Sequence, residues 1–190
     1  MQAWLSALAS LLLSGEDDQA QMQRYLAVLA TGDATGFLQA CKLLGEAADP
    51  VELVDAIGTL ADDDALALVG ALVMHAFAAV RMDYRSRQDA SAARAVLAAK
   101  AQAAYQQIGT SFGYEVLDWT VRLIGAAVVE LSAIAARRAP IVRVETGQSL
   151  PSALLAFDLY GDPSRGQEVA DRNRSGTSMI MPVRFEALAE

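Results

Sequence analysis

Residues 65–80, ALALVGALVMHAFAAV, run for sixteen positions without a formal charge. Wound as a helix, such a stretch is apolar on every side, with only Gly70 and His75 to interrupt it. It is shorter than the ~20 residues needed to cross a bilayer. A helix of this kind has to be covered by protein all round. The chain must therefore surround it with other helices, and any faces left over predict self-association or a protein partner.

The flanking sequence supplies those helices. In ADPVEL, Asp49 stands at an N-cap, Pro50 at the first helical position and Glu52 at the third, an order that satisfies open amide donors and suits the helix dipole. Three Asp (62 to 64) open the apolar helix and Arg81 closes it, again in dipole order. Ser86 caps a helix expected to end at Gly109. Another is expected from about Phe112 to Arg138, stopped by Pro140, with Val116, Leu117, Val121, Ile124, Val128, Leu131 and Ala135 at three- and four-residue steps. Five or six helices over residues 1–139 predict an antiparallel bundle, with abundant Ala allowing close packing.

After Pro140 the pattern changes. Ile141, Val142 and Val144 alternate as a strand does. A short helix follows, expected to be capped by Ser149 with Pro151 in its first turn. A second has Asp162 as cap and Pro163 at its first position, and a last strand is expected over 183–188. The expected fold is thus mostly α: an antiparallel helical bundle followed by a small βααβ module over 140–190. A module of that size has a thin core and leans on a neighbour.

Composition narrows the function. A net charge of −8 with only two Lys, Lys42 and Lys100, argues against a general nucleic-acid surface. A local cationic edge from Arg137, Arg138, Arg143, Arg165, Arg172 and Arg174 is nearly balanced by Glu145, Asp158, Asp162, Glu168 and Asp171. The single cysteine, Cys41, lies in an apolar helical pattern and reads as a buried thiol in a reducing compartment. With His75 the one histidine, no metal site is expected. Carboxylate pairs such as Glu16/Asp17 and Asp62/Asp63 fall at helix starts, where capping explains them. No P-loop, GxSxG or HExxH pattern occurs, so neither an enzyme nor a cofactor is expected. The opening MQAWLSALASLLLS has no basic residue before Arg24 and lacks the positive start of an export signal; no membrane span is expected.

The one stretch that reads as a signature is LYGDPSRGQEVADRN, 159–173. Gly161 suits a helix end with positive φ. Asp162-Pro163 starts the next helix at once, and Asn173 can bind loop backbone or take a left-handed turn. Tyr160 is expected to pack its ring in the small core. These residues are expected to be scaffold.

The strand–helix–helix–strand order, with Gly147-Gln148-Ser149-Leu150 leading into the first helix and Asn173 closing the second, resembles the LysM fold. The YGDPSR of 160–165 with the Arg172-Asn173 pair is similar to the version found in tail and baseplate proteins of contractile phages. With RSRQDA (85–90) and Arg94, and the Ala-rich helices before them, residues 81–190 resemble the C-terminal portion of Mu-like phage DNA-circularisation proteins. That family has a further N-terminal domain, and a Pro with a Gly-containing turn before its last strand, where this chain has the irregular RSGTSMIMPVRFEAL. The resemblance implies a structural virion component at or near the tail baseplate, assembled in the host cytoplasm. It would dock other tail proteins or further copies of itself through the bundle and the module. The candidate interaction residues are Gly147, Ser149, Leu150, Tyr160, Gly161, Asp162, Pro163, Arg165 and Asn173. Two alternatives come with it, a peptidoglycan-binding module and a protein associated with DNA ends.

Overall fold

The computed structural model describes residues 7–10, 12, 17, 20, 34–59 and 65–189. The expected roles of Glu16 and of Asp62, Asp63 and Asp64 lie outside these. The described chain is mostly helical, with one long helical segment and a small two-stranded antiparallel sheet. It divides into two compact units, Met1–Asp83 with Ala90–Ile134, and Tyr84–Asp89 with Ala135–Glu190.

In the first unit, α1 (Ala34–Ala47) and α2 (Pro50–Thr59) pack against α3 (Ala65–Arg81). As expected, the carboxylate of Asp49 accepts from the amides of Val51 and Glu52, at 2.9 and 3.1 Å, and starts α2. The apolar helix α3 is buried around most of its circumference, including Val69, Leu72, Val73, Met74 and His75. It runs parallel to α1, with Phe37 opposite Gly70 and Gly45 opposite Phe77. At its end the Arg81 guanidinium donates to the carbonyls of Gly45 and Ala48, capping α1. Arg81 thus terminates two helices.

The next segment, α4 (Arg87–Arg137), is two helices across one break. Ser86 caps it as expected, accepting from the Asp89 amide at 3.1 Å. The expected end at Gly109 is corrected: the helix passes through Gly109 and breaks at Gly113, whose φ of 80° and ψ of −175° only glycine adopts cheaply. Arg94 then donates to the hydroxyl of Ser132 at 3.1 Å. Residues so far apart meet only because the arms, 87–112 and 114–137, fold back on each other, each roughly 40 Å long. Buried Leu97, Ala101, Ala104 and Ile108 on one arm and Thr120, Ile124, Ala127 and Leu131 on the other recur at alternating steps of four and three. That is the seam of an antiparallel coiled coil, and its alanines let the axes approach. Of the expected stripe, Ile124, Leu131 and Ala135 are buried, whereas Val116, Leu117 and Val128 are half-buried and Val121 is exposed.

The segment also contains an 18-residue window apolar enough by length and composition to cross a membrane. The buried share of that window is 28%.

In the second unit, β1 (Ile141–Glu145) pairs antiparallel with β2 (Arg184–Leu188), Ile141 opposite Leu188 and Glu145 opposite Arg184. Between them come α5 (Ser152–Tyr160), a single 3-10 turn at Pro163–Arg165, and α6 (Gly166–Arg172). Leu155, Ala156, Val169, Ala170, Met181, Phe185 and Ala187 form the core, with Val144, Leu150, Leu159 and Tyr160 packed on it. A Cβ on Gly166 would stand 2.8 Å from the backbone of Ala153, so glycine sets the contact between α6 and α5.

Candidate functional site

The signature folds as a turn whose side chains reach the sheet. Gly161 ends α5 with φ 69°, its amide donating to the Phe157 carbonyl at 2.8 Å. Asp162 accepts from the amide and hydroxyl of Ser164, at 2.9 and 2.7 Å; these bonds hold its carboxyl below the usual range. The sequence placed this cap directly on the second helix. It caps instead the 3-10 turn, which begins at Pro163 and leads into α6.

Two members of the signature act on one edge of the sheet. In this register the outward-facing amides and carbonyls of β2 belong to residues 184, 186 and 188. The Asn173 side chain donates to the Glu186 carbonyl at 2.9 Å and accepts from the Glu186 amide at 2.7 Å. It also donates to the Val169 carbonyl at 2.8 Å, closing α6. The Tyr160 hydroxyl accepts from the Leu188 amide at 2.9 Å, while its ring lies on the core and carries the Arg165 guanidinium 3.8 Å from its centroid. On the other edge, Gln88 makes the equivalent pair with Ile141, accepting from its amide at 2.8 Å and donating to its carbonyl at 3.2 Å. Side chains thus occupy edge positions that a further strand would otherwise fill. Tyr160 and Asn173 thus bond the edge of β2, Gly161 ends α5, and Asp162 with Pro163 opens the 3-10 turn.

The 147–150 stretch behaves differently. Ser149 is exposed, and the expected cap is corrected: α5 starts at Ser152 behind Pro151, with no side-chain cap. The Ser152 amide donates instead to the Ser178 carbonyl at 2.8 Å, and the Met181 amide to the Leu150 carbonyl at 3.0 Å. The loop before β2 therefore does the capping, a contact no local pattern announces. Gly147 is exposed, with open space where a side chain would be. Leu150 packs on the core.

The arginines are sorted by the fold. Arg143, Arg172 and Arg174 line one concavity of about 400 Å³ together with Arg184, Asn173, Phe185 and Glu186. Arg165 faces Tyr160 instead. Burial pushes the Glu168 carboxyl up, but the guanidiniums of Arg165 and Arg172, at 3.0 and 2.9 Å, outweigh it and hold it below the usual range. Arg184 pairs with Glu145 at 3.1 Å on an exposed surface. The sequence reading missed Arg184. Its alternation with Phe185, Glu186 and Ala187 in β2 was the signal.

Elsewhere Cys41 is fully buried and burial raises its thiol far above the ordinary range. His75 is buried, and burial, with Lys100 at 3.4 Å, lowers it to about 4. Among the described residues no three His, Cys, Asp or Glu gather where a metal could sit. No family model matches the sequence, and no curated protein matches it.

Proposed function

We propose that this chain is a structural component of a contractile phage tail, at or near the baseplate, present in several copies and docked to neighbouring tail proteins. The observation that carries this is the second unit: a strand–helix–helix–strand order whose signature residues Tyr160 and Asn173 staple the sheet edge. It supports a LysM-like module of the kind the YGDPSR and Arg172-Asn173 resemblance implies. The signature residues hold the fold, and the Ala-rich coiled-coil hairpin suits a rigid connecting arm. In this reading the chain has no catalytic step, needs no cofactor, and resides in the virion.

Glycan binding is the weaker reading, because the 145–150 loop carries no aromatic and its Thr146 hydroxyl is engaged with the carbonyls of Gln148 and Val183. The test is immunogold labelling of purified particles, together with deletion of the gene. Label at the distal end of the tail and loss of complete tails on deletion are the expected results. Unlabelled particles, or intact tails without the protein, would overturn the proposal.

A further inference from the structure

The side chains that bond the sheet edges are Tyr160, Asn173 and Gln88, and the arginines of the concavity are not among them. Arg143 and Glu186 stand opposite each other across the strands, and Arg184 shares their face two residues along, away from the core face of Val144 and Phe185. The end of α6 brings Arg172 and Arg174 beside them. Arg172 shares Glu168 and Arg184 shares Glu145, leaving Arg143 and Arg174 as the guanidiniums of the wall with the freest reach.

Arg174 carries a second signal. It has φ 49°, the one non-glycine residue with positive φ among the described residues. Its amide donates to the Asp171 carbonyl at 3.0 Å and the Ser175 amide to the Ala170 carbonyl at 2.9 Å. That is a Schellman ending with arginine at the position where glycine is favoured. A fold that wanted only to stop α6 would do better with glycine. The residue placed there is instead a cation facing the concavity.

Charge is distributed unevenly along the chain. The second unit holds nine Arg against eight Asp and Glu, net +1, so the first unit carries −9 of the total −8. Within the first unit no Lys or Arg occurs between Lys42 and Arg81, a span that includes Asp62, Asp63 and Asp64 in succession. We infer that the cleft of Arg143, Arg172, Arg174 and Arg184 is a carboxylate-binding site that receives the Asp62–Asp64 run of a second copy of this chain. Guanidinium forks match carboxylates two bonds at a time. A head-to-tail contact of this kind joins copies in series without using up either surface. Polyphosphate fits less well: the positive field is confined to the cleft, Glu186 interrupts it, and the rest of the chain repels a polyanion. The inference does not depend on the tail assignment.

The test uses the full chain and a fluorescent peptide of residues 58–68, GTLADDDALAL, followed by anisotropy. The peptide should bind, more weakly as salt rises, and its triple Asp→Asn version should not. The double variant Arg143→Gln, Arg174→Gly should bind about tenfold or more weakly, since each lost charge-assisted contact is a large term. Glycine suits position 174, so that loss could not be blamed on unfolding. In sedimentation at low salt the wild-type chain should associate with rising concentration, and the chain carrying Asp62→Asn, Asp63→Asn and Asp64→Asn should stay monomeric. Equal binding by the double variant would overturn the inference, as would a wild type that stays monomeric. An oligonucleotide that displaces the peptide at lower concentration would assign the cleft to phosphates instead. Tight peptide binding by the triple-Asn chain with none by wild type would place the run in the same molecule's cleft, against the second-copy assignment.

Discussion

The Asn173 side chain exchanges two hydrogen bonds with the backbone of Glu186, as a partner strand would, and with its second donor closes the helix it terminates. One amide thus completes α6 and the edge of β2 together. Asn173→Leu leaves the Glu186 amide and carbonyl without that partner in a half-buried place. The expected loss is roughly 2–3 kcal/mol from the second unit, since two backbone groups go unsatisfied. Asn173→Asp keeps the acceptor and loses the donors, and should fall between. Hydrogen exchange of the Glu186 and Leu188 amides in the full chain checks this: faster exchange at both, in the order Leu, Asp, wild type, is the expected result.

Gly161→Val should cost the same unit about 1–2 kcal/mol, because φ 69° puts a β-branched residue in the left-handed region. Asp162→Ala removes the exposed cap of the 3-10 turn and should lower stability by less than Gly161→Val does. Urea denaturation followed by tyrosine fluorescence or amide exchange reads both. A Gly161→Val protein as stable as wild type would mean that the turn relaxes into another ending.

These two positions were legible because turn chemistry is local: glycine where φ is positive, Asp-Pro where a new helix must start. Gly113 was not. SFGY has no proline and no acidic cap, and Gly109 offered an equally good stop four residues earlier. What separates them is long-range, since a Cβ on Gly109 would stand 3.2 Å from Leu117 on the returning arm, while Gly113 forms the turn itself. Ser149 failed for a related reason, its capping task having gone to the Ser178 carbonyl. The roles of Tyr160 and Asn173 on the β2 edge depend on strand register, which no stretch of fifteen residues contains. The arginine cleft likewise needed β1, β2 and the end of α6 to be placed side by side.

Arg174→Gly should stabilise the second unit by about 1 kcal/mol, by relieving the left-handed cost at φ 49°. The same exchange tests the sense of the Schellman ending without reference to any ligand. Slower exchange of the Ser175 amide, which closes that motif at 2.9 Å, is the expected signature. A less stable variant would show that the arginine side chain holds the turn by contacts that outweigh its backbone strain.

His75 makes the first unit sensitive to acid. Its folded value of about 4 lies below the ordinary 6.5, because burial first, and the Lys100 ammonium second, disfavour the imidazolium. The folded chain therefore binds fewer protons here than the unfolded chain does. The stabilisation is full above pH 6.5 and is lost as pH falls toward 4, at ~1.4 kcal/mol per unit. By pH 5 the loss should be roughly 2 kcal/mol. Trp119 belongs to this unit, so its fluorescence reports the unit's unfolding. His75→Gln keeps an acceptor that Lys100 can reach and removes the titration. Carboxylates also titrate over this range, and subtracting the variant isolates the histidine. Wild type should lose about 2 kcal/mol more than His75→Gln between pH 7 and pH 5, and equal losses would show that protonation of His75 is not coupled to folding.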